Sequence, residues 1–211
     1  MNDQPLNFIH RYEPAIEHGD RTLLLLHGTG GDETDLLGVA RAIDESAALL
    51  SPRGKVIENG MPRFFRRLAE GVFDEKDLIE RTNALADFVS AAAKFYERDP
   101  SQIVAVGFSN GANIAAAMML LQPRVLRAGI LIRAMTPLVP AKRVDLAGKS
   151  ALILSGTADP IVPRDNAQRL AKLLGDARAT VTHKWIQASH GLTTEDIETA
   201  REWLSQVTRN K

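Results

Sequence analysis

Short, almost wholly apolar runs alternate along the chain with longer stretches whose apolar residues recur at helical spacing. Thr22–His27 is near-continuously apolar and ends in a glycine-rich turn, as expected of a strand buried on both faces. Ala48–Ser51 is a shorter strand candidate. Arg81–Arg98 carries Leu85, Phe88, Val89, Ala92 and Phe95 at helical intervals, and Asp99-Pro100 closes it. Ile103–Val106 reads as a strand, followed by an Ala- and Met-rich helix, Asn110–Gln122, that ends before Pro123. Ala128–Ile132 and Ala151–Leu154 continue the strands, Arg164–Leu174 is helical with Gly175 as its stop, Val181–Ile186 is the last strand and Thr194–Val207 the closing helix. This βα series predicts an α/β fold, with a mostly parallel central sheet and helices on both faces.

No internal repeat or low-complexity linker divides the series, and 211 residues suit one domain spanning 1–211. Two connections are long. Pro52–Glu80 holds Gly60, Pro62, Phe64, Phe65 and Phe73, and Arg133–Ser150 holds Pro137 and Pro140. Long loops in a compact domain are often functional, but neither has room for a large helical lid.

Charge changes the picture by exclusion. Lys and Arg number 26, Asp and Glu also 26, so there is no basic excess of the kind nucleic-acid binding needs. The Arg63, Arg66 and Arg67 cluster is soon followed by Glu70, Asp74, Glu75 and Asp77, and reads as solvated surface. With no cysteine there is no disulfide, thiolate metal site or cysteine nucleophile. The opening Met-Asn-Asp-Gln-Pro lacks a basic region followed by an apolar stretch. The longest apolar run, Ile114–Leu121, falls far short of the roughly 18 residues of a membrane span. A cytoplasmic protein without membrane or nucleic-acid partners is expected.

Gly107-Phe108-Ser109-Asn110-Gly111 matches Gly-x-Ser-x-Gly. Alone the pattern is weak, arising by chance in roughly one chain in fifteen of this length at average composition. Its context strengthens it, because the motif lies between a buried strand and a helix, where a nucleophile elbow must lie. Such a turn forces the serine into a strained conformation that lifts its hydroxyl above the sheet edge. Chain then passes so close to the positions two before and two after that only glycine fits. The plain alternative is a strand-to-helix turn that happens to hold a serine.

A serine hydroxyl needs a base within hydrogen-bond reach. His10 and His18 precede the main sheet, His183 lies within a strand pattern and His27 ends the first long strand. His190 follows the last strand and so falls at the carboxyl edge of the sheet, the edge that also carries Ser109. Asp159, in Gly156-Thr157-Ala158-Asp159-Pro160, follows another strand and reaches the same edge, although an aspartate before proline is also a common turn residue. Asp165 reads as a helix N-terminal charge, and Glu195 and Asp196 come after the histidine. The order Ser109, Asp159, His190 is that of α/β-hydrolases. In that fold the loop after the first long strand supplies one oxyanion N–H and the residue after the nucleophile the other, which assigns Thr29 and Asn110. The loop His27-Gly28-Thr29-Gly30-Gly31-Asp32 fits neither phosphate-binding glycine pattern, and His27 reads as a residue shaping the loop. Histidine and acid residues at metal-ligand spacing are absent, so neither metal nor other cofactor is expected.

Taken together, Leu26 to Asp32, Gly107 to Asn113, Gly156 to Pro163 and Ser189-His190-Gly191-Leu192 resemble the phospholipase/carboxylesterase family of α/β-hydrolases. The stretch from Ser51 through Arg67 is most similar to its small bacterial carboxylesterases. The chain departs from the related acyl-protein thioesterases at Asn110, where they commonly carry glutamine, and at Thr29, where they usually carry leucine. Backbone donation survives both changes. The resemblance implies a small-molecule ester substrate and homodimers. Without a large lid, short- to medium-chain esters are expected, with thioesterase or lysophospholipase activity as the alternative on the same triad. A non-catalytic binding module of this fold would be expected to have lost a triad or oxyanion residue. Phe64, Phe73 and Leu138, from the two long loops, are candidates to line the acyl or aromatic pocket; they are equally candidates for the core.

Overall fold

The computed structural model describes residues 6–16 and 19–207. In chain order the elements are β1 (His10–Glu13), β2 (Thr22–Leu26), α1 (Leu37–Ile43), β3 (Ala48–Pro52), β4 (Val56–Glu58), β5 (Met61–Arg63), β6 (Arg67–Ala69), β7 (Val72–Phe73) and α2 (Glu75–Phe95). They continue with β8 (Ile103–Phe108), α3 (Asn110–Leu121), β9 (Ala128–Ile132), β10 (Ser150–Gly156), α4 (Arg164–Asp176), β11 (Thr180–Ile186) and α5 (Thr194–Val207). Seven strands form one sheet in the order β1-β3-β2-β8-β9-β10-β11. Every pairing in it is parallel except β1 with β3. This is the α/β-hydrolase architecture.

Side-chain alternation along each strand feeds two cores. In β2, Leu24 and Leu26 join the cluster packed by α2, α3 and α4, whereas Leu23 and Leu25 join the cluster packed by α1 and α5. In β8, Ile103 and Ala105 face the first cluster, Val104 and Val106 the second. Continuous apolar strands are therefore what a sheet covered on both faces requires.

Four features depart from the sequence pattern. β1 has only part-buried or exposed residues and pairs on one side, so it carries no apolar run. α1 spans seven residues, too few to display a period. α2 begins six residues before Arg81, at Glu75, because Asp74 caps it by accepting from Asp77 N–H at 3.1 Å. Gly175 lies inside α4 rather than stopping it. The long Pro52–Glu80 connection contains two short antiparallel hairpins, β4-β5 and β6-β7, and no lid helix. No helix among the described residues is long and apolar enough to cross a membrane.

Register places the loops. Leu26 of β2 pairs with Gly107 of β8, Phe108 with Ile132 of β9, Leu154 of β10 with Ile132, and Gly156 with Ile186 of β11. The segments leaving these strands therefore emerge at one level of one sheet edge, where α/β sheets gather their ligands.

His27 fastens the first of these loops. Its Nδ1–H donates to Gly28 O at 2.7 Å, and its Nε2 accepts from Gly54 N–H at 3.0 Å, a pattern only the neutral ring can make. Burial pushes its pKa down, against the opposing pull of the Gly28 hydrogen bond. The unfolded chain thus binds more protons than the native one as pH falls below about 6.5, so this contribution to stability is full above that value and lost beneath it. Tm measured from pH 8 to 5 should fall on the acid side, with a shallower slope in His27→Gln. An equal slope in that variant would move the effect to His183, whose pKa burial also lowers.

Candidate active site

Ser109 occupies the sharp turn between β8 and α3 with φ +52° and ψ −113°, a conformation that L-residues rarely adopt. The two motif glycines are demanded by packing. A Cβ on Gly107 would lie 2.6 Å from Gly111 O, and one on Gly111 would overlap the Leu26 carbonyl. The Ser109 N–H is satisfied by Ile132 O at 2.9 Å, which ties the strained turn to β9.

The Ser109 hydroxyl lies 2.9 Å from His190 Nε2. On the other side of the ring, Nδ1 is 2.9 Å from Asp159 Oδ2 and 3.0 Å from Oδ1. The Asp159 side chain is 1% exposed and that of His190 19%, so the carboxylate is shielded while the imidazole keeps an open edge. Asp159 Oδ1 also accepts from Ile161 N–H at 2.8 Å and Val162 N–H at 3.1 Å. The turn role and the histidine contact are thus one arrangement, in which the turn aims the carboxylate. Asp165 sits in the first turn of α4, away from this row. Of the other histidines, His10 bonds Phe8 O and Tyr96 Oη, and His183 bonds Ser155 Oγ. His18 lies outside the described residues.

Thr29 and Asn110 both border the cavity in front of Ser109. A single segment holds both. Pro62 O accepts from Gly30 N–H at 2.9 Å, Arg63 Nη1 donates to Thr29 Oγ1 at 2.5 Å, and Phe64 N–H donates to Asn110 Oδ1 at 2.8 Å. Arg63 is 3% exposed; burial lowers its pKa, and Glu58, 3.3 Å away, opposes that shift. The charge pattern of the sequence predicts solvated surface at Arg63. It is instead a buried strut of the loop that carries Thr29.

The cavity measures about 310 Å³ and is lined by Thr29, Arg63, Arg67, Phe73, Phe108, Asn110, Asn113, Arg133, Met135, Ile161 and Val162, among others. Phe73 is thus at the cavity, edge-on to Phe65 with ring centroids 5.1 Å apart. Phe64 and Leu138 are not. Phe64 is 2% exposed and packs against the His27 ring at 4.7 Å, and Leu138 is 5% exposed in the core shared with α3 and α4. Membership of a long loop does not decide which way a side chain faces, and both loops turn these residues inward. Asn113, which the sequence reading passed over, fixes the cavity wall by accepting from Met135 N–H at 2.7 Å.

The chain is similar in sequence and in fold to known proteins. The phospholipase/carboxylesterase family model matches residues 11–208. The Bacillus subtilis (strain 168) protein named as hydrolase MhqD is 45% identical over 198 residues, 94% of this chain and 98% of that one. A Bacillus cereus carboxylesterase structure superposes with a TM-score of 0.93 at 46% identity over 95% of each chain. A carboxylesterase from Mesorhizobium loti does so with 0.90 at 33% identity over 97% of each. The chain belongs to the phospholipase/carboxylesterase family, and is an ester hydrolase with the α/β-hydrolase fold.

Proposed function

We propose that the chain hydrolyses carboxylic esters of short to medium acyl length through an acyl-enzyme on Ser109. The observation that carries this reading is the unbroken row Ser109, His190, Asp159, each link 2.9 Å at its shorter contact. His190 Nε2 takes the hydroxyl proton as Oγ attacks the acyl carbonyl, and the imidazolium then protonates the leaving alcohol. Asp159 holds the proton on Nδ1 and stabilises the ring cation. Negative charge that develops on the carbonyl oxygen is met by the Thr29 and Asn110 N–H groups, each worth about 3–4 kcal/mol if it behaves as a typical donor. Water, deprotonated by the same histidine, then releases the acid.

Size supports the substrate range. A cavity of about 310 Å³ stands at the small end of ligand clefts, and no lid helix extends it. Phe73, Met135 and Val162 give the lining an apolar part suited to an acyl or aromatic group, while Arg63, Arg67 and Glu70 add polar groups to it. Thioesters are chemically open to the same row and serve as the comparison substrate.

A fluorophosphonate probe should label Ser109 stoichiometrically, with labelling abolished in Ser109→Ala; folded protein that resists the probe would point to a blocked site or a binding module. Asp159→Asn should lower kcat by about four orders of magnitude as control of the tautomer is lost. Near-normal turnover there would mean that another group orients His190. On a series of p-nitrophenyl esters from acetate to decanoate, Phe73→Ala should shift the optimum toward longer acyl chains. An unchanged profile would remove Phe73 from the acyl wall.

A further inference from the structure

A buried guanidinium grips the loop that carries His190 from two strands away in sequence order. Arg133 is the residue directly after β9, 0% exposed, with φ +55°. Its Nη1 and Nη2 donate to Asp196 Oδ1 and Oδ2, both at 2.8 Å. Its Nε donates to Ser189 O and its Nη2 to Gly191 O, each at 3.0 Å. These are the carbonyls on either side of His190. A further bond, Nη1 to Leu154 O at 3.2 Å, ties the same group to the end of β10, beyond which Asp159 lies.

Both ends of this clamp are themselves fixed. Arg133 N–H donates to Leu154 O at 2.8 Å, which anchors its backbone to the sheet. The Asp196 carboxylate accepts from Thr193 N–H and Oγ1, each at 2.9 Å, and Thr193 Oγ1 accepts in return from Asp196 N–H, a capping box at the start of α5. The segment Ser189–Asp196 is thereby pinned at three points to one planar fork. Only arginine offers that many donors in a fixed geometry; lysine has one nitrogen to place.

We propose that Arg133 is a positioning residue for the reaction, setting the height and tilt of the His190 ring between Ser109 and Asp159 by holding the two carbonyls that flank it, with Asp196 as the counter-charge that fixes the guanidinium. The proposal rests on Ser109, His190 and Asp159 being the reacting row. Its need is geometric: a ring that must meet two partners at 2.9 Å tolerates little drift, and a misplacement of about 1 Å can cost 10²-fold in rate.

The test compares wild type with Arg133→Lys, Asp196→Asn and the double variant Arg133→Met/Asp196→Asn, in which no lone buried charge remains. Three quantities are read well below each variant's Tm: kcat and KM on p-nitrophenyl butyrate, the rate of fluorophosphonate labelling, and the downfield proton resonance of His190 Nδ1–H. The double variant should lose about 10²-fold in kcat with KM nearly unchanged, and should lose the resonance. Asp196→Asn should lose about tenfold, and Arg133→Lys should recover only part of the double variant's deficit. A folded double variant with wild-type kcat and an intact resonance would overturn the proposal. If the double variant does not fold, Asp196→Asn carries the decision, since unchanged kcat and resonance there overturn it equally. Failure of the wild type to label at Ser109 or to cleave any ester would instead overturn the triad, a separate result.

Discussion

The close passage of the first turn of α3 beneath the end of β2 governs the site. Gly111 lies against the carbonyls of Leu26 and His27 with no space for a methyl group, and Gly107 against the backbone of Gly111 and Ala112. Two segments thus share one small volume: the turn that carries Ser109, and the loop that leaves β2 toward Thr29. The separation between Ser109 and that loop follows from backbone contact rather than from side chains that could relax. The positive φ of Ser109 is the local cost, a kind that runs to about 1–3 kcal/mol and persists where surrounding structure over-determines it. Here the surroundings are the Ile132 carbonyl, the sheet beneath and the helix that begins at Asn110.

Around this fixed point the structure adds two independent fasteners. Pro62, Arg63 and Phe64 hold Gly30, Thr29 and Asn110 through one backbone acceptor, one guanidinium and one backbone donor. Arg133 and Asp196 hold the histidine side. Each fastener reaches the site from a different part of the chain, and each places a buried arginine at the cavity that Ser109 and His190 also line. Rigid support of this kind is what keeps catalytic groups within the narrow tolerance that their chemistry needs. It also explains how a fold without a lid helix can hold a precise site: order comes from beneath the cavity, not from a cover closing over it.

The parts legible in the sequence were those written in local pattern. Apolar runs revealed β2, β3, β8, β9 and β10, because strands buried on both faces cannot hide, and the Gly-x-Ser-x-Gly turn was legible because a steric rule ties glycine to its positions. His190 and Asp159 could be placed because a parallel sheet delivers every strand end to one edge. What could not be read was long-range pairing. Arg63 stands in an arginine-rich stretch that looks solvated, and only the fold brings Thr29 and Glu58 to it. Phe64 and Phe73 are nine residues apart in one loop, yet one enters the core and the other the cavity. Nothing in their own neighbourhood distinguishes them.

Arg133 and Asp196 are the sharpest case. In sequence one is a charged residue after a strand and the other the third residue of a helix, where acids are ordinary. Both are wholly buried in the fold. Desolvating such a pair is expensive, and a packed apolar pair of similar size is often as stable or more so, whereas removing a single partner costs about 3–5 kcal/mol. Stability alone therefore gives a weak reason for the pair to be there. The guanidinium does what no apolar side chain could, since it donates to two loop carbonyls, at Ser189 and Gly191, and to that of Leu154 near the end of β10. Where those carbonyls converge, a fork-shaped cation is the donor that reaches all three, and its counter-ion, Asp196, comes from α5. The burial of the charge follows from the need to end a loop, carrying a histidine, in one place.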